Sequence, residues 1–162
     1  MPQTLPRLTF LLATTLSALA LPSYAADTAE TALRIHAPYV RLAPPGAAAT
    51  GAFMRIENAG ATDRQLIKAE SPAAKTVELH THLNEGGMMK MRAVPFIAIK
   101  AGGQTELKPG SYHVMLIGLT QPLKDGDPVA ITLTFDDGSQ QRISAPARPI
   151  HAEAASHGGM KH

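Results

Sequence analysis

Cysteine and tryptophan are absent from the 162 residues, and the other aromatics amount to only 4 phenylalanines and 3 tyrosines. Without cysteine there is no disulfide, no thiolate nucleophile and no thiolate metal ligand. The lipid anchor of a bacterial lipoprotein, which needs a cysteine at its processing site, is excluded on the same ground, and so is a blue-copper electron carrier. So few rings leave little from which to build a large aromatic ligand pocket. Charge of one sign is also lacking: 15 Lys and Arg stand against 13 Asp and Glu, a formal net charge of +2. That near balance gives no electrostatic reason to expect nucleic acid or acidic lipid as a partner. One long apolar run occurs, "LTFLLATTLSALAL", preceded by Arg7 and closed by "PSYAAD" with the small residues Ser23 and Ala25. It reads as a secretory signal over residues 1–25, cleaved near Ala25, too short for a stable membrane span. The mature chain is therefore expected in the periplasm, with no stable membrane insertion after cleavage.

What the sequence does have is punctuation and short β-type segments. The 13 prolines and 13 glycines are scattered along the chain rather than clustered. Between them lie stretches rich in Val, Ile, Leu, Thr and Phe, a pattern that favours an all-β sandwich. In "VAITLTF", Val129, Ile131, Leu133 and Phe135 alternate with Ala130, Thr132 and Thr134, so one face is predicted to be buried. "DDG" at 136–138 predicts a hairpin turn, with "SQQRISAPA" returning. Further strands are predicted over 33–42, 50–58, 64–70, 75–83, 95–101 and 111–119. No long period of 3.6 and no internal repeat is present. The expected organisation is a β-sandwich domain over 26–149 and a small, polar tail over 150–162 containing "HAEAASHGGMKH".

The 7 histidines and 7 methionines carry the chemical signal. In "KTVELHTH", Val77 and Leu79 share one strand face while Glu78, His80 and His82 share the other. In "SYHVML", Tyr112, Val114 and Leu116 take the apolar face, which predicts His113 and Met115 pointing outward together. "NEGGMMKMR" adds Met88, Met89 and Met91 after a Gly-Gly, with Met89 and Met91 on one side if the segment is extended. A single exported histidine is ordinarily a solvated polar residue, and a single methionine is ordinarily packing. On that reading Met54 belongs to the core, Met88 fills space, and His36 is structural with nothing to pair with. Packing explains the set His80, Met91, His113 and Met115 less well. Thioether sulfur is a soft donor that does not protonate, and imidazole must be neutral to bind metal, so affinity should fall as pH drops through about 6.5. Mixed His/Met donors outside the cytoplasm, with no cysteine, point to Cu(I) rather than zinc. His82 is a candidate auxiliary or outer ligand, and so is Met89.

At these residues the chain resembles the periplasmic copper chaperone family PCu(A)C. Ten residues separate His80 from Met91, twenty-one separate Met91 from His113, and Met115 completes a His-x-Met pair. "GAFMRIENAG", "AESPAAKTVELH", "GGMMKMRAV", "LKPGSYHVMLIGL" and "GDPVAITLTFDDG" are similar to the family's phrasing across about 34–145. Thr81 and Ser111 depart from it, since many members have Met after the first His and Gly two positions before the second. The resemblance implies a Greek-key β-sandwich, cupredoxin-like or immunoglobulin-like. It implies one Cu(I) held by His80, Met91, His113 and Met115, and delivery towards the CuA centre of cytochrome c oxidase. The implied partners are a Sco-type chaperone and cytochrome c oxidase subunit II. Some members carry a His/Met-rich C-terminal extension, and His151, His157, Met160 and His162 would make this tail a Cu(II) site by the same resemblance.

Two other classes share parts of this pattern. A copper-resistance or storage protein would use the same donors for sequestration. An enzyme is disfavoured, because a histidine-brace oxygenase needs His at the mature N-terminus and cleavage near Ala25 leaves Ala26 there. No nucleophile with a histidine base can be read from spacing.

Overall fold

The structure is a computed structural model that describes residues 32–149. The expected signal segment and the tail residues His151, His157, Met160 and His162 lie outside the described residues. All regular structure within 32–149 is β: β1 (Leu33–Arg41), β2 (Ala49–Asn58), β3 (Arg64–Glu70), β4 (Ala74–Glu85), β5 (Met88–Ala93), β6 (Ile97–Ile99), β7 (Gln104–Leu107), β8 (His113–Leu119), β9 (Pro128–Phe135) and β10 (Gln140–Arg148). One layer runs β5-β4-β8-β2-β1, with β7 added beside β2, and the other runs β10-β9-β3-β6. Apart from a short parallel contact of β1 with β10 at Val40 and Ala147, the named pairs are antiparallel.

The core follows the period-two patterns. Val129, Ile131, Leu133 and Phe135 are all buried from β9. Facing them from the other layer are Met54 and Ile56 of β2, Leu79 of β4, and Val114 and Leu116 of β8. Each fully buried side chain of this size contributes about 1.5–3 kcal/mol. Met54 is thus a core residue, as its sequence context predicts. The turn at Asp136–Gly138 is closed by a bond from Gly138 N–H to the Phe135 carbonyl.

Three features differ from the sequence reading. His36 is not without a partner, because its Nε2 lies 2.7 Å from Glu57 Oε2 on the paired strand β2. β7 carries one buried side chain, Leu107, and is held by pairing Met54 to Leu107 along β2, so it has too little alternation to be seen in sequence. Met88 fills no space, since it sits 62% exposed on β5.

Strand β1 is irregular near its middle. Its register slips between His36 and Tyr39, where Ala37 has φ 45°. A bulge of this kind inserts a residue and reverses which face later side chains take. Leu33 and Ile35 face the core before it, and Val40 faces the core after it. Tyr39 and Arg41 are consequently turned to the opposite face of the layer.

Candidate metal centre

Four strands, β5, β4, β8 and β2, present their non-core faces side by side. Pairing of β4 with β8 sets His80 directly opposite His113 and Glu78 opposite Met115. Pairing of β4 with β5 sets His82 opposite Met91 and His80 opposite Ala93. Pairing of β8 with β2 sets Met115 opposite Gly51. Directly opposed residues lie about 4.5–5.5 Å apart at Cβ and point the same way. Residues from three separate segments are thereby gathered on one face.

The β4–β5 register depends on a two-residue turn. Glu85 pairs with Met88, and the intervening Gly86 and Gly87 have φ of 63° and 83°. Positive φ at both central positions is what a tight twisted hairpin needs, and glycine adopts it without steric cost. The segment "MMKMRA" is therefore an extended edge strand, with Met89 and Met91 on one side. Met89, opposite Asn84, is 58% exposed near the hairpin tip.

His113 is the main departure from expectation. It points away from the hydrophobic core, yet it is only 3% exposed. The reason is a second cover over this face. The Phe53 ring lies 6.1 Å from the His113 ring, Tyr39 lies 5.2 Å from Phe53, and the Arg41 guanidinium sits 5.1 Å over Phe53. Phe53 can fold inward because Gly51 has no side chain: a Cβ there would stand 2.9 Å from the Phe53 ring. Phe53, Tyr39 and Arg41 carry no signal of this role in the sequence, because the bulge that turns Tyr39 and Arg41 here leaves no mark in the alternation beyond "HAP".

The ring nitrogens are preset. The His113 Nδ1–H donates to the Ser111 carbonyl at 3.0 Å, which leaves the lone pair on Nε2. The His80 Nε2–H donates to Glu78 Oε2 at 2.7 Å, which leaves the lone pair on Nδ1. These two remaining atoms, His113 Nε2 and His80 Nδ1, are buried and have no hydrogen-bond partner among the described residues. Buried polar atoms are normally satisfied, so two orphaned nitrogens on facing rings 5.7 Å apart call for an explanation. A carboxylate or carbonyl anchoring the far nitrogen is the usual support of a metal-binding imidazole. Burial also holds His113 below its ordinary pKa, which favours the neutral ring with its lone pair available.

A cavity of about 300 Å³ opens beside this pair, with Met91, His113, Met115 and His82 among its lining residues. His80 is not among them; it flanks His113 from the neighbouring strand. Met91 is 44% exposed at the rim. Among the described residues no three His, Asp or Glu side chains are placed to hold a metal ion together. The cavity lining adds two thioethers, Met91 and Met115, to the imidazoles.

This architecture is that of a PCu(A)C domain. The copper-bound PCuAC domain from PmoF2 superposes with a TM-score of 0.63 over 73% of this chain and 93% of that one, at 19% identity, a likeness of fold alone. The chain belongs to the family described as "Putative lipoprotein LpqE-like", whose pattern matches residues 33–147. It is 35% identical to the Cu(I) form of DR1885 from Deinococcus radiodurans, with a TM-score of 0.59 over 70% of this chain and 76% of that one. It is also 35% identical over 104 residues to "Putative lipoprotein Lxx21020" of Leifsonia xyli, covering 64% of this chain. The match spans 63% of that relative's own length. The relatives' lipoprotein names contrast with this sequence, in which no residue is cysteine.

Proposed function

We propose that the protein is a periplasmic copper chaperone that carries one Cu(I) on His80, Met91, His113 and Met115. The observation that carries this reading is the pair of orphaned, buried nitrogens, His80 Nδ1 and His113 Nε2, on the same face as two thioethers. The family relationship supports it, since a relative of 35% identity has been solved in a Cu(I) form. Two imidazoles and two thioethers form a neutral set. It leaves the single positive charge of Cu(I) on the complex and disfavours the extra charge of Cu(II), which thiolate or carboxylate donors would stabilise.

The work of the site is ligand exchange rather than catalysis. Phe53 and Arg41 shield His113 from solvent, while Met91 stands at the open rim. An incoming acceptor ligand meets Met91 first and can displace it while the imidazoles still hold the ion. Release towards the CuA centre of cytochrome c oxidase, through a Sco-type chaperone or directly to subunit II, fits such stepwise transfer. Export by the signal segment 1–25 would bring the protein to the right compartment. The tail imidazoles His151, His157 and His162, with Met160, would catch Cu(II) and bring it to the sandwich.

The test is Cu(I) competition against a bidentate chromogenic chelator, followed by transfer to an apo CuA domain. One equivalent of tightly bound Cu(I) that moves to the acceptor is expected. Absence of Cu(I) binding, or binding that survives His113→Ala and Met115→Leu together, would overturn the proposal. Tight binding with no transfer would favour storage instead.

A further inference from the structure

Resting on the copper reading of the site, we infer that His82 is an alternating copper ligand that replaces His80 as the ion enters and leaves.

The first observation is the strand register. His82, not His80, is the residue directly opposite Met91, whereas the position opposite His80 on β5 is Ala93, which has no donor atom. The second is ring geometry. The His82 ring lies 5.2 Å from the His113 ring, nearer than the 5.7 Å between His80 and His113. His82 therefore stands between the rim thioether and the buried imidazole. The third is the cavity, which is lined by His82 together with Met91, His113 and Met115 while His80 lies outside it. Exchanging one histidine for the other gives two sets, each of two nitrogens and two sulfurs, with three donors in common.

The two histidines also differ in how firmly they are held. His80 is anchored by its 2.7 Å bond to the Glu78 carboxylate. His82 Nδ1 has only a 3.5 Å contact with the Ser111 carbonyl, at the outer limit of a hydrogen bond, and that carbonyl already accepts from His113. A loosely held, partly exposed imidazole at a cavity mouth gives up little when it reorients, because water replaces the weak bond it loses. The three histidines are not placed to bind one ion at once, which favours exchange over a permanent five-donor site.

The step balances simply. The bond from copper to His80 Nδ1 breaks as a bond to a ring nitrogen of His82 forms. Both ligands are neutral, so the complex keeps its single positive charge and no electron or proton moves. In the His82-bound state the exchanging ligand is the cavity-lining histidine directly opposite the rim residue Met91. In the His80-bound state the exchanging ligand is the histidine that flanks the buried His113 from outside the cavity.

The experiment uses the mature protein loaded with Cu(I) and four forms: unchanged, His80→Ala, His82→Ala and the double variant. Nitrogen-15 NMR of the imidazoles and X-ray absorption count the nitrogens on copper, and chelator competition gives affinity. His80→Ala is expected to retain two copper-bound nitrogens, with the His82 resonances shifted by the metal. The double variant should retain one, and its affinity loss should exceed the product of the single losses by about tenfold, because each imidazole substitutes for the other. If His80→Ala keeps one nitrogen, or the two losses simply multiply, the inference fails while the copper reading stands. If the unchanged protein binds no Cu(I), both fail.

Discussion

The face that gathers the histidines and methionines has two unlike halves. β8 and β2 form a floor: central strands, His113 at 3% exposure, Met115 against Gly51, and a lid of Phe53 and Arg41. β5 forms a rim: an edge strand whose six residues are all exposed, carrying Met91 opposite His82. β4 runs between them and supplies one histidine to each side. A floor alone would hold an ion and release it slowly. A rim alone would have no fixed geometry and no protection from water. On the proposed copper reading, the contrast assigns retention and exchange to different strands of one sheet, with the turn at Gly86–Gly87 fixing the register of the rim.

The sharpest way to break this contrast is to remove one donor from each half. His113→Ala should weaken Cu(I) by more than about 100-fold, beyond the 10–100-fold typical of supporting residues, as read by chelator competition. Met91→Leu should cost about tenfold and act mainly by speeding release. Equal losses from the two would mean that floor and rim do not differ. Deleting Gly87 goes to the register itself. A one-residue slip turns Met91 to the other side of β5, so the affinity should fall to that of Met91→Leu while circular dichroism retains the β signal.

A smaller effect is expected at the support of His80. Glu78→Gln removes the charge from its hydrogen bond with the imidazole and should weaken Cu(I) by about tenfold at most, with no change in donor count by X-ray absorption. An affinity unchanged in this variant would show that the Glu78 bond does not orient the ring. The smallest effect concerns the hairpin. Glu85 accepts hydrogen bonds from Arg92 and lies 3.2 Å from Lys90, which hold its carboxyl below its ordinary value of 4.5. A carboxylate whose folded pKa is depressed contributes stability that is present above the unfolded value and lost as pH falls through the folded one. Hydrogen exchange of β5 amides should therefore quicken as pH is lowered below about 4.5, after correction for intrinsic rates, and Glu85→Gln should abolish that dependence.

Much of this architecture is readable in residue order, for identifiable reasons. Strand β9 announces itself because Val129, Ile131, Leu133 and Phe135 bury one face and leave the other polar, and the pleat enforces that period. The same rule puts His80 and His82 on one side. The burial of His113 is not readable, because alternation tells which side a residue takes and not what covers that side. The cover comes from Phe53 on the distant strand β2, from Gly51 clearing space for it, and from a bulge at Ala37 that turns Tyr39 and Arg41 over. The roles of the two β4 histidines are likewise hidden. Spacing singles out His80, while pairing with Met91 falls to His82.

The order of residues by itself determined an all-β chain, the side of the sheet on which imidazole and thioether side chains stand, and the exclusion of thiolate chemistry, since these depend only on local period and composition. The tertiary structure alone decided which strands lie next to one another, and hence which donors meet and which are sealed from water, because register and covering side chains are set by contacts between residues far apart in the chain.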